Sequence, residues 1–199
     1  MTMALGCDTA TPINESRLQT LLSEGYTFVG RYLGSHLTSD EKDIITKGGL
    51  YIVSLYEGNP TRIGYFTKHQ GIVDANKAIR NAQVLGQPFG TPIYFTVDYD
   101  APNSDVSRGI RTYLEAVKAV FKENGDLYKL GLYGSGAVLS YFKNTYTYTW
   151  LAGATAWRGS RDYTGWTIKQ YANSTTIGSG SGKITIDKNE SNGSEGGWR

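Results

Sequence analysis

Cysteine is all but absent from this 199-residue chain. Cys7 is the only one, which excludes an intrachain disulfide and a cysteine-based zinc site. Histidine is nearly as scarce. His36 and His69 fall in a loop and near a helix start, and neither has a claim to be the base for Ser135 in "GLYGSGAV". That serine also lacks the Gly-x-Ser-x-Gly elbow and reads as a turn residue. No apolar run is long enough to span a membrane. Neither sign of charge dominates: the net charge is +2 and the basic residues are scattered, a balance that argues against nucleic acid as a partner. Gly-x-Gly-x-x-Gly and Walker loops are missing, as is an Asp/Asn-rich calcium loop, so no cofactor and no metal is expected. One core and a monomer are the plain expectations at this length.

What the chain does have is alternation. Apolar runs with strand character lie at Met3 to Asp8, Tyr26 to Tyr32, Leu50 to Glu57, the stretch "PIYFTVDYDAP" from Pro92, Lys129 to Ser135, Tyr148 to Ala154, Thr167 to Ala172 and Ile184 to Asn189. Helical patterns separate the first five. One opens at Asn14, and one opens at Thr38 with Glu41 three residues later in the form of a capping box. Another carries Ala75, Ala78, Ile79 and Ala82 on one face, and one is capped by Ser104. After the fifth strand, loops rich in Gly, Ser and Thr replace the helices. Strand–helix alternation predicts a parallel sheet. Eight strands predict an α/β, (β/α)8 TIM-like barrel with short or missing helices after the fifth strand, the rival being a doubly wound open sheet. The barrel domain is expected over 1–190 and a flexible tail or linker over 191–199.

Barrel active sites stand at the C-terminal strand ends, and reactive residues gather there. The ends carry Asp8, Arg31 with Tyr32, Tyr56 with Glu57, Asp98 and Asp100, Tyr133, Gln170 and Asp187, with Trp150 among the aromatic candidates for stacking on sugar rings. Cys7 is expected on the opposite face from Asp8. Several carboxylates around one mouth repel each other, and repulsion with burial keeps one protonated. A protonated acid facing an ionised one is the pair that cleaves glycosidic bonds. Asp98 and Asp100, two apart on a strand, have Cα atoms roughly 6.6 Å apart, which leaves retaining and inverting geometries both open.

The segments "GCDTATPI", "FVGRYLG", "YIVSLYEGN", "GTPIYFTVDYDAP", "GLYGSGAV", "WLAGATAW", "IKQYA" and "ITIDKNE", in this order, resemble the glycoside-hydrolase-like barrel domain of bacterial cell-wall and phage-lysin-like proteins. That domain is distantly similar to the family 25 lysozymes. Those lysozymes carry Asp-x-Glu on the fourth strand, where this chain has Asp98-Tyr99-Asp100. The resemblance implies a muramidase-like glycosidase of peptidoglycan, extracellular or attached to the cell wall. It implies Asp100 or Glu57 as the acid, Asp98 and Asp8 as stabilisers of the cationic intermediate, and Gln170, Arg31 and Tyr133 as sugar-binding or orienting residues. Glu190 is a weaker candidate acid. The alternative is a carbohydrate-binding barrel with little or no turnover.

Overall fold

The computed structural model describes residues 3–199. It is a closed barrel with strands in chain order: β1 (Ala4–Asp8), β2 (Phe28–Tyr32), β3 (Tyr51–Tyr56), β4 (Pro92–Thr96), β5 (Lys129–Gly134), β6 (Tyr148–Leu151), β7 (Ile168–Ile177) and β8 (Ile184–Ser191). Helices α1 (Glu15–Ser23), α2 (Ser39–Lys47) and α3 (Lys68–Val84) follow the first three strands. After β4, α4 (Asn103–Asp105), a π turn (Val106–Ile110) and α5 (Arg111–Glu123) succeed one another, and the short α6 (Gly136–Tyr141) follows β5. Asn14 and Thr38 cap α1 and α2 as their sequences predict, each side chain accepting a backbone N–H three residues on. Ser135 is the N-cap of α6, its hydroxyl accepting the Val138 N–H. Ser104 is not a cap; the turn it was expected to start opens after Pro102.

The barrel departs from an all-parallel sheet in one strand. β1 to β7 pair in parallel, but β8 runs antiparallel to both β7 and β1. The connection from β7 to β8 holds only residues 178–183, too short for the crossover that a parallel strand needs. β8 therefore enters at the mouth and descends, so Asp187 sits at the rim and Asn189 one layer below it.

Two apolar layers hold the fold. Outward-facing residues such as Cys7, Val29, Ile52, Phe95 and Leu132 pack against the helices. Phe28, Val53, Leu55, Tyr94, Trp150 and Ile168 fill the barrel itself. Gly30 makes that filling possible: a Cβ there would lie 2.5 Å from the Trp150 ring.

The expected flexible tail is instead packed. Trp198 is buried and exchanges both backbone hydrogen bonds with Ile52 at 2.8 Å, while its indole donates to Ser54 at 2.9 Å. Glu195 accepts the Tyr94 hydroxyl at 2.8 Å. A tryptophan offers a large apolar surface with one polar handle, and this one overrides the glycines and serines around it. Among the described residues no helix is long and apolar enough to cross a membrane.

Candidate active site

Side chains alternate along a strand, so only every second strand-end residue faces the mouth. Those that do are Asp8, Tyr32, Glu57, Asp98, Tyr133, Gln170 and Asp187; the charges of the four acids act on one another and on the two tyrosines. Their adjacent partners face the helices.

Asp8 is 4% exposed and lies at the centre of a hydrogen-bond network. The Tyr32 hydroxyl donates to its Oδ1 at 3.1 Å, and Gln170 and Asn189 donate to its Oδ2 at 3.1 and 2.8 Å. Gln170 spends all its capacity here. Its second N–H goes to Asp187 at 3.0 Å, and its carbonyl accepts from the Tyr133 hydroxyl at 3.1 Å and the Gly153 N–H at 2.9 Å. Asp187 also accepts the Ser174 N–H at 2.7 Å. Ser174 has φ 51° at an irregularity of β7, an unusual conformation for a serine that aims its N–H at the carboxylate.

Burial pushes the Asp8 carboxyl up to about 7, against the opposing pull of its donors. Burial, then the charges of Asp98 and Asp8, pushes Glu57 to about 7 as well. Asp98 is raised by burial and by Asp187. Among the described residues no side chain donates to the carboxylates of Glu57 or Asp98, so these two are the acids of the ring that remain open to a substrate.

Asp100 is placed differently. β4 ends at Thr96, so strand alternation no longer governs residues 98 and 100. Asp98 turns to the mouth while Asp100 reaches the 152–167 loop, where it accepts from the Arg158 backbone N–H at 2.8 Å and its guanidinium at 2.6 Å. The same guanidinium donates to the Asp100 carbonyl at 2.9 Å. Asp100 is a clamp between two rim loops, and both of its oxygens are occupied.

Three expected substrate-binding residues lie away from the mouth. Arg31 is 0% exposed and faces α2, paired with Glu41 at 2.8 Å and bonded to the Thr9 carbonyl. Tyr56 donates at 3.1 Å to Asp74 on α3, a buried carboxylate that also accepts from Tyr113 at 2.8 Å. Trp150 does face inward but is 0% exposed under Asn189, so it floors the site and has no face free to stack on a sugar. Glu190 points outward to Lys169 at 3.6 Å. Removing one partner of a buried ion pair costs about 3–5 kcal/mol. Arg31→Ala is therefore expected to lower unfolding stability by that order in urea titrations while leaving ligand affinity of the folded fraction unchanged.

Asn189 is the site residue that sequence reading missed. Alternation from Asp187 along β8 puts it on the same face, and that was the available signal. A surface cavity of about 670 Å³ between α1 and α2 lies outside the barrel and gathers no comparable set of groups. The acid ring is the better candidate.

The ring of acids, tyrosines and amides stands at the mouth of a closed α/β barrel, the end where barrel active sites are built. The chain belongs to the Rv2525c-like, glycoside hydrolase-like domain family, which residues 19–191 match. It is 35% identical over 216 residues to the uncharacterized protein YbfG of Bacillus subtilis (strain 168), an alignment covering 98% of this chain and 29% of YbfG. The chain spans about a third of the length of the curated relatives it matches. Among solved structures, the Tat-secreted protein Rv2525c of Mycobacterium tuberculosis superposes with TM-score 0.76 at 19% identity, covering 99% of this chain and 98% of that one. The modular autolysin LytC of Streptococcus pneumoniae, solved with a synthetic peptidoglycan ligand, superposes with TM-score 0.61 at 14% identity over 94% of this chain and 46% of LytC. At these identities the solved structures speak for the fold.

Proposed function

We propose that this domain is a cell-wall glycoside hydrolase, lysozyme-like in reaction, in which Glu57 is the proton donor and Asp98 its ionised partner. The reading is carried by one observation: Glu57 and Asp98 are raised mouth carboxyls to which no described side chain donates, and each lies in the field of other acids. A carboxyl with a pKa of about 7 holds its proton at neutral pH and can deliver it to a leaving glycosidic oxygen. Asp98, as the ionised partner, stabilises or attacks the developing sugar cation. Asp8 and Asp187, oriented by Gln170, Tyr32 and Tyr133, hold hydroxyls and amides of the sugar. The polymer is peptidoglycan, in keeping with the autolysin among the structural neighbours, and the Tat-secreted neighbour supports an exported protein acting at the wall.

A second reading is favoured by Asp100. The carboxylate that takes the lysozyme donor's place in the sequence is bound to Arg158, as it would be in a barrel that binds carbohydrate without cleaving it. Incubation with purified peptidoglycan separates the two. New reducing ends, growing with time and enzyme, are expected. Sedimentation of the protein with peptidoglycan and no release of reducing ends would establish the binding module instead.

A further inference from the structure

Asn189 is fully buried on β8 and belongs to no role assigned above. Its carbonyl accepts the Trp150 indole N–H at 2.9 Å. An indole nitrogen only donates, so the amide cannot flip without opposing two donors. Its NH2 group is thereby fixed toward Oδ2 of Asp8 at 2.8 Å, with the other hydrogen on the Asp187 carbonyl at 3.1 Å. Gln170 is locked in the same sense by Tyr133 and Gly153 and aims its own N–H at the same oxygen. Amide N–H groups cannot become acceptors, whereas the Tyr32 hydroxyl on Oδ1 can reverse its bond. The two oxygens of Asp8 are therefore unequal.

We propose that Asn189 is a positioning residue, locked by Trp150, that holds Oδ2 of Asp8 as a permanent acceptor and leaves Oδ1 as the oxygen that takes up a proton or meets a substrate hydroxyl or amide. It deepens the glycosidase reading without depending on turnover. The charged and titratable groups that act on Asp8 are Tyr32 from β2, Glu57 after β3, Tyr133 from β5 and Asp187 from β8, with Cys7 adjacent in β1. Removing an N–H donor from the ionised form raises the pKa of a carboxyl.

The test is a carbon-13 NMR titration of the Asp8 carboxyl in the full chain, comparing wild type with Asn189→Leu, Trp150→Phe and the double variant. Asn189→Leu is expected to move the midpoint up by about one pH unit, a tenfold change in proton affinity. Trp150→Phe, which keeps Asn189 but removes its lock, is expected to move it the same way by less. The double variant should move no further than Asn189→Leu, because the indole acts through the amide. A midpoint unchanged in a folded Asn189→Leu protein overturns the proposal. If that variant fails to fold, an unchanged midpoint in Trp150→Phe overturns it. Where turnover is measured, kcat falls and the pH limb follows the NMR midpoint while KM holds. Turnover with an unmoved midpoint would sink Asn189's role and leave the glycosidase standing; a moved midpoint with no reducing ends would do the reverse.

Discussion

Glu57→Gln is expected to lower the release of reducing ends from peptidoglycan by about a hundredfold to ten-thousandfold, the contribution of a positioned general acid. The substitution keeps length and shape and replaces the acidic hydroxyl by an NH2 group that cannot act as a general acid. Asp98→Asn is expected to be comparably damaging, because the ionised partner is as necessary to a two-carboxylate mechanism as the donor. Asp100→Asn tests the opposite assignment. Both Asp100 oxygens already accept from Arg158, and the pair is half exposed, so its loss should loosen the rim loops and cost less than tenfold in rate. A hundredfold loss in Asp100→Asn with an active Glu57→Gln would return the donor role to the position where family 25 lysozymes have theirs. Binding to peptidoglycan, measured by sedimentation, should survive in all three variants.

The barrel and most of its acid ring were legible in the sequence because both depend on short-range patterns. Apolar runs, capping residues and helix periodicity located the elements, and polar residues at run ends located the mouth. The errors came where adjacent residues were both assigned to the site. Arg31 and Tyr32, like Tyr56 and Glu57, are neighbours on one strand and face opposite ways, so one of each pair had to lie outside. Tyr32 and Glu57 face the mouth, while Arg31 meets Glu41 and Tyr56 meets Asp74. The placing of Asp100 on the same face as Asp98 failed for the converse reason. Alternation was applied to them, but the strand had already ended at Thr96. The reversal of β8 was visible in its short Gly/Ser connection, though only a length criterion would have exposed it. Nothing local marked the packing of Trp198, since its partners Ile52 and Ser54 are distant in the chain. Tertiary pairings of that kind are what sequence patterns do not encode.

The same ring predicts a trade of stability for function, and its sign follows from Asp8. An ordinary aspartate has a pKa near 3.8, whereas burial holds this one at about 7 in the folded protein. Between those values the folded state binds the proton that the unfolded chain has released, so stability falls as pH rises. Below about pH 4 both states are protonated and stability is complete; above about pH 7 the fold must carry a buried carboxylate. Three pH units at 1.36 kcal/mol each correspond to an upper figure of about 4 kcal/mol lost across the window. Glu57 and Asp98, raised for similar reasons, act in the same direction. Asp8→Asn removes the ionisation and keeps the shape, and its carbonyl can accept the Gln170 and Asn189 N–H groups while its own NH2 meets the Tyr32 hydroxyl. Urea unfolding is therefore expected to show the variant more stable than wild type at pH 8, by up to a few kcal/mol, and nearly equal to it at about pH 3. Taking the difference between the two proteins cancels the titrating groups that do not sense Asp8; Glu57, which the Asp8 charge raises, shifts with it. A variant less stable at pH 8 would mean that the hydrogen bonds around Asp8 outweigh its burial, and the carboxylate would then be a structural acceptor held below its ordinary range. Activity should fall in either case, because an NH2 group in place of Oδ1 can neither take up a proton nor accept from a sugar hydroxyl or amide.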